Sequence, residues 1–183
     1  IIPSEHFAPL EKKDDTLTHC FGPRHRLLLV GAGQLAAHLS TLALAMDYEV
    51  LLADSREWAL DQWQGPDVEK ILGLPDDVVR EHAADEHCAV ITLSHDPRVD
   101  DMALMEALDS ASWYVGALGS VRTTEKRLQR LSQLGLSSGA LARLHAPVGL
   151  SIGSKTTMEI AVSIIAQLTQ LRRESQDLAH SSQ

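Results

Sequence analysis

The sequence predicts an α/β fold, a doubly wound and mainly parallel sheet of Rossmann type, and three features carry the prediction. Leu27, Leu28, Leu29 and Val30 form an unbroken apolar run that leads directly into Gly31-Ala32-Gly33 and then a helical pattern; a parallel strand covered on both faces reads this way. A second apolar run, Glu49 to Ala53, ends in Asp54, about twenty residues beyond the turn. Further runs, Cys88 to Leu93 and Tyr114 to Leu118, alternate with helical patterns, as expected when helices cover both faces of a parallel sheet.

Taken in order, residues 1–25 mix charge, proline and isolated hydrophobes without a period and read as an arm or linker closed by Gly22-Pro23. The Rossmann-like domain is expected over 26–172. After the first strand, Leu35, Leu39, Leu42 and Met46 recur at helical spacing, giving the crossover helix into the second strand. Ser55 to Pro66 carries Trp58 and Trp63 and suggests a loop or short helix flanking the nucleotide side, or two rings that cap the core. Pro75 starts a short helix whose Asp76 and Asp77 suit its positive end. Val99 to Leu108 is helical, with Met102, Met105 and Leu108 on one side. A charged helix follows Gly119-Ser120 with Leu128, Leu131 and Leu134 inward. Thr156 and Glu159 form a capping box before a long apolar helix carrying Ile160, Ile164, Leu168 and Leu171. From 173 to 183 the chain is polar and expected to fray.

A chain of 183 residues with 44% hydrophobic content supports one core and one domain. Its net charge of −9 and pI near 5.4 oppose binding to phosphate backbones, and no basic stripe interleaved with aromatics offsets this, so nucleic acid is not expected as a partner. No apolar run reaches bilayer length and no signal-peptide pattern opens the chain, which reads as cytoplasmic without a membrane partner. The first residue is Ile1 rather than Met, the expectation for a processed chain or a piece of a longer one. Cys20 and Cys88 stand apart and read as reduced thiols. His82, His87 and Cys88 lie close in sequence at a spacing that matches no standard metal site, so they read as solvated histidines beside a strand and no metal is expected.

Gly31 and Gly33 suit a turn whose backbone approaches a ligand, and Ala36 fills the third position of a G-x-G-x-x-G/A fingerprint. Gln34 opens the helix whose free N–H groups suit a pyrophosphate. Asp54 is placed to bind ribose hydroxyls, with Arg56 able to accommodate a 2′-phosphate. His95 and Asp96 follow one strand's carboxyl end and Gly119, Ser120 and Arg122 another's, so these residues are expected in one cleft with the glycine turn, Arg122 as a bidentate phosphate contact. The plainer alternative makes His95 and Asp96 helix caps and pairs Arg122 with a surface carboxylate.

Three blocks, TLSHDPRVDDMAL (Thr92 to Leu104), YVGALGSVRTTEKR (Tyr114 to Arg127) and LHAPVGLSIGSKTTMEIAVSI (Leu144 to Ile164), together with the GAGQLA turn, resemble the C-terminal Rossmann domain of the XdhC/CoxI family, maturation factors of xanthine and carbon monoxide dehydrogenases. The resemblance implies a protein that binds molybdenum cofactor (molybdopterin) or a related dinucleotide, protects it during sulfuration and hands it to a molybdoenzyme of xanthine dehydrogenase type; it implies no known turnover reaction, and non-catalytic handover fits best. A cysteine desulfurase and a homodimer are the further partners it suggests. Two positions depart from the family pattern: Ser151 stands where GLDIGA has its carboxylate, and Val121 where GSRR has its first arginine. The N-terminal domain usual in full-length members lies outside this sequence. Two rival readings stand beside the carrier: an NAD(P)-dependent oxidoreductase using the same turn, with His95 as proton donor, and a nucleotide-sensing regulatory module.

Overall fold

Successive residues of a strand project to opposite faces, so a run such as Leu27 to Val30 needs cover on both sides. The computed structural model, which describes residues 11–13, 16–18, 25–94 and 96–181, provides it. The chain runs through β1 (Glu11–Lys13), β2 (Thr16–Thr18), β3 (His25–Val30), α1 (Gln34–Leu44), β4 (Tyr48–Asp54), α2 (Glu57–Asp61), β5 (Glu69–Leu72) and α3 (Pro75–His82). It continues through β6 (Cys88–Thr92), α4 (Pro97–Asp109), β7 (Tyr114–Ala117), α5 (Val121–Gln133), α6 (Ser138–Leu141), β8 (Leu144–His145) and α7 (Thr157–Ser181). Leu27 and Leu29 of β3 pack with α1 and α7 through Leu35, Leu39, Ile164 and Leu168. Leu28 and Val30 face the opposite layer, built from α3, α4 and α5 through Val79, Leu104, Leu108 and Leu131.

Six parallel strands lie in the order β5-β4-β3-β6-β7-β8. The chain starts at the centre with β3, winds outward to β5, then crosses back to β6 and winds the other way. The reversal between β3 and β6 is the topological switch point, where crevices open at the carboxyl ends of strands. The strands expected from sequence at 26–30, 49–53, 88–93 and 114–118 are β3, β4, β6 and β7, each within one residue at either end. β5 and β8 are edge strands that the pattern does not announce: Glu69 and Lys70 of β5 face solvent, and β8 has only two residues.

Other differences have local causes. Within the expected arm, β1 and β2 pair antiparallel. On α5 the buried positions are Thr124, Arg127 and Leu131, whereas Leu134, expected inward, caps the helix end and is 60% exposed. Met102 is exposed too, because Ala103, Leu104, Ala107 and Leu108 form the buried face of α4. Trp63 packs against the core while Trp58 is 57% exposed. The capping box is present, with Thr156 N–H donating to Glu159 Oε2 at 2.9 Å and Glu159 N–H to Thr156 Oγ1 at 3.2 Å. The helical backbone of α7 continues past Arg172 to Ser181, where composition predicts fraying. Cys88 is a free, buried thiol that burial pushes up to about 12, too high for thiolate chemistry at neutral pH; Cys20 lies outside the described residues. Among the described residues no helix is long and apolar enough to cross a membrane, and no three candidate metal ligands converge.

The connection from α4 into β7 is held from a distance. Arg143 Nη1 donates to the carbonyls of Leu108 (2.7 Å) and Ser110 (2.8 Å), and Nη2 to that of Ser112 (2.6 Å). Arg143→Ala removes these charge-assisted bonds and should lower the unfolding free energy by about 1–2 kcal/mol. A urea titration reads this as a lower midpoint at unchanged slope; an unchanged midpoint would show that water replaces the guanidinium without loss.

Candidate functional site

The switch point opens into a cavity of about 710 Å³ lined by the loops after β3, β4 and β6: Gly31 to Gly33, Asp54 to Arg56, and Leu93, Ser94 and Asp96 to Val99. The two glycines do different work there. Gly31 has φ of 115°, and a Cβ on it would stand 2.9 Å from the Ser94 backbone nitrogen, so it lets β3 turn past β6. Gly33 is extended, at φ −126°, and a Cβ there would meet nothing within 4 Å. It is the N-cap of α1 without any side-chain cap, so the first-turn N–H groups at Gln34 and beyond have no acceptor from the capping position.

Asp54, buried at the end of β4, accepts four hydrogen bonds. Ala32 N–H reaches Oδ2 at 2.8 Å; the backbone N–H of Arg56 (3.0 Å) and its Nε (2.9 Å) reach Oδ1, and its Nη2 reaches Oδ2 at 2.9 Å. Burial pushes the Asp54 carboxyl up, but the hydrogen bonds from Arg56 and Ala32 outweigh it and hold it below the usual carboxylate range. Asp54 thus pins the glycine turn and holds Arg56, whose guanidinium also sits 4.9 Å over the Trp58 ring. Asp96 caps α4 and binds the backbone N–H of Arg98. His95 lies outside the described residues.

A second cavity, of about 400 Å³, lies beside the first and shares Ser94 and Pro97 with it; Asp100, Leu118, Gly119, Thr123, Lys126, Arg127 and Arg130 complete its lining. Of the residues expected in one cleft, Gly31, Gly33, Asp54, Arg56 and Asp96 line the first cavity and Gly119 the second. Ser120 caps α5 in a reciprocal pair with Thr123 (Thr123 N–H to Ser120 Oγ, 3.2 Å; Ser120 N–H to Thr123 Oγ1, 2.6 Å), and the exposed Arg122 lines neither cavity. Gln34 borders a smaller recess of about 170 Å³ with Trp58, Gln62, Trp63 and Gln64.

In the wall of the second cavity stands a buried ion pair that sequence reasoning missed. Arg127 Nη2 donates to Asp100 Oδ2 at 2.7 Å and Nη1 to the Leu118 carbonyl at 3.1 Å, while Asp100 Oδ1 accepts Ser94 N–H at 3.2 Å. The pair therefore ties the loop after β6 to the loop after β7. Burial pushes the Asp100 carboxyl up to about 6 against the pull of Arg127. Arg130 holds Asp101 by two bonds, at 2.6 and 3.1 Å. The available signal was the spacing of Thr123, Lys126, Arg127 and Arg130, which share one face of a helix.

Residues 27–168 match the XdhC Rossmann domain. The chain belongs to the XdhC Rossmann-domain family. Among XdhC-like proteins it is 27% identical over 173 residues to a probable xanthine dehydrogenase subunit of Bacillus subtilis, covering 94% of this chain and 50% of that one. It is 34% identical over 93 residues to the molybdenum cofactor insertion chaperone PaoD of Escherichia coli, covering 51% of this chain and 29% of PaoD. A crystal structure described as a xanthine dehydrogenase from Bacillus halodurans shares the fold with a TM-score of 0.71 at 33% identity, over 83% of this chain and 44% of that one. The chain spans half or less of the length of each of these proteins. The three blocks that carry the XdhC resemblance fall on β6 with α4, β7 with α5, and β8 through the first turns of α7. Both departures from the XdhC pattern, Ser151 and Val121, are exposed and line neither main cavity.

Proposed function

We propose that this XdhC-family chain is a cytoplasmic carrier that holds the molybdenum cofactor by its phosphate at the Gly31–Gly33 turn and delivers it to a molybdoenzyme of xanthine dehydrogenase type. The observation that carries the reading is the start of α1. It has no side-chain cap, it begins at a glycine whose missing Cβ leaves open space, and it faces a cavity at the switch point. α4 and α5, by contrast, are capped by Asp96 and Ser120. Free N–H groups and the positive end of the helix dipole suit a phosphate, and the pterin cofactor carries one. When bound, the cofactor supplies the metal at which the recipient enzyme does its redox chemistry. The residues of this chain bind and orient: Gly33 and Gln34 offer backbone N–H groups, Asp54 fixes the turn through Ala32, and Arg56 supplies positive charge at the rim. The name of PaoD, an insertion chaperone for the same cofactor, supports this reading. A cysteine desulfurase and a second copy of the chain are further partners within the same proposal, resting on the resemblance alone.

The test is transfer. Chain loaded with molybdenum cofactor should activate an apo-xanthine dehydrogenase faster than free cofactor does, and should co-purify with the apoenzyme. The rival oxidoreductase would occupy the same crevice, and a substrate-dependent change in nicotinamide absorbance with the purified chain would replace the carrier reading with it.

A further inference from the structure

Both lips of the crevice carry the same three-residue device. Asp54-Ser55-Arg56 follows β4 and Asp96-Pro97-Arg98 runs from the loop after β6 into α4, and the two strands are the neighbours of β3 in the sheet. The devices therefore stand on either side of the glycine turn, and all four charged residues line the same cavity. Their geometry repeats. Oδ1 of each aspartate accepts the backbone N–H of its arginine, at 3.0 Å for Arg56 and 2.9 Å for Arg98. Each Nε donates to Oδ1, at 2.9 and 3.2 Å, and each Nη2 to Oδ2, at 2.9 and 3.0 Å.

We propose that Arg56 and Arg98 are the two jaws of a phosphate clamp, each parked on its own aspartate until a phosphate-bearing ligand draws it into the crevice. The clamp rests on the reading of the crevice as the ligand site. Three physical points support it. The guanidinium of each parked arginine reaches solvent, with side chains 49% and 89% exposed, and the Arg98–Asp96 pair, exposed on both sides, contributes little to stability. Their departure strands neither carboxylate: Asp54 keeps the N–H groups of Ala32 and Arg56, and Asp96 keeps that of Arg98.

The third point is charge. In a chain of net charge −9 the four parked groups cancel, so beyond the partial positive charge at the start of α1 a phosphate entering the crevice meets full positive charge only when the arginines turn to it. The two lips also feel each other, since Asp96 adds to the stabilisation of charged Arg56 that its own Asp54 dominates. Guanidinium groups match phosphate oxygens two at a time, which a lysine does not.

The phosphate can be a bridging pyrophosphate, as in a dinucleotide, or a terminal monoester, as in a pterin phosphate, and calorimetry with ADP-ribose, AMP and adenosine separates these. Arg98→Gln and Arg56→Gln should each weaken the engaged phosphate probe by about tenfold and leave adenosine unchanged, and Lys at either position should not restore the loss. A loss in both variants for ADP-ribose but in only one for AMP assigns the clamp to a bridging pyrophosphate; a loss in both for AMP assigns it to a terminal phosphate. Gly33→Val is the control. If it abolishes phosphate binding while Arg98→Gln binds as wild type, the clamp is wrong and the site stands. If none of these variants changes binding, or the wild type binds neither phosphate probe, the crevice reading fails and takes the clamp with it. Both arginine side chains reach solvent and each aspartate keeps its backbone donors, so circular dichroism should show the variants folded.

Discussion

Arg127→Met is expected to lower the unfolding free energy by about 3–5 kcal/mol, the scale observed when one partner of a buried ion pair is removed and the other stays buried. The side chains of Arg127 and Asp100 are only 6% and 2% exposed, so Asp100 has no water to turn to. For a chain of this size the loss corresponds to a melting point lower by roughly 6–20 °C. The deficit should depend on pH. Asp100 already titrates at about 6 with Arg127 present, against 3.8 without the fold, and loss of the cation raises its folded-state value further. A carboxyl with a raised folded pKa contributes stability that is fully present below its unfolded pKa and is lost as pH rises through the folded pKa. The variant should therefore come closest to wild type near about pH 4 and fall furthest behind near about pH 8. Equal deficits at both pH values would show that Asp100 is not left as an unpaired buried charge. Because the pair joins Ser94 to Leu118, the same variant should also loosen both cavities, read as faster amide exchange in the loops after β6 and β7.

Gly33→Val should leave the protein folded and weaken ADP-ribose binding by about a hundredfold or more, because its side chain would occupy the space a phosphate needs at the start of α1. Valine adopts an extended φ of −126° without strain, and a Cβ there meets no atom within 4 Å. Gly31→Ala, two residues earlier, should behave in the opposite way. It forces an L side chain to φ 115° and sets its Cβ 2.9 Å from the backbone of Ser94, so the expected loss of stability is roughly 2–4 kcal/mol. Thermal melts and calorimetry on the two variants separate the roles. A folded Gly33→Val protein with unchanged affinity would demote the turn to a structural feature, and a Gly31→Ala protein as stable as wild type would show that β3 and β6 can move apart at no cost.

Local pattern alone determined the strands at the centre of the sheet, the glycine turn between β3 and α1, and the capping box of α7, because each is written in residues close along the chain. An apolar run buried on both faces, a glycine fingerprint and a Thr-x-x-Glu spacing need no knowledge of the rest of the molecule. The Asp54/Arg56 and Asp96/Arg98 pairs were equally local, and a search for repeated Asp-x-Arg after strand ends would have found Arg98. β5 and β8 escaped because edge strands need no continuous apolar run. The tertiary structure decided what distance along the chain conceals. Arg127 meets Asp100, and Arg130 meets Asp101, only because α4 and α5 lie side by side on one face of the sheet. That pairing puts an arginine where α5 was expected to bury only leucines, and it sets Asp100 and Arg127 in the wall of the second cavity while Arg122 lines neither. A sequence sets which faces are apolar, but which buried charges find each other depends on how separate helices pack, and the energy of a buried pair depends on that geometry and on how completely burial strips water from both charges.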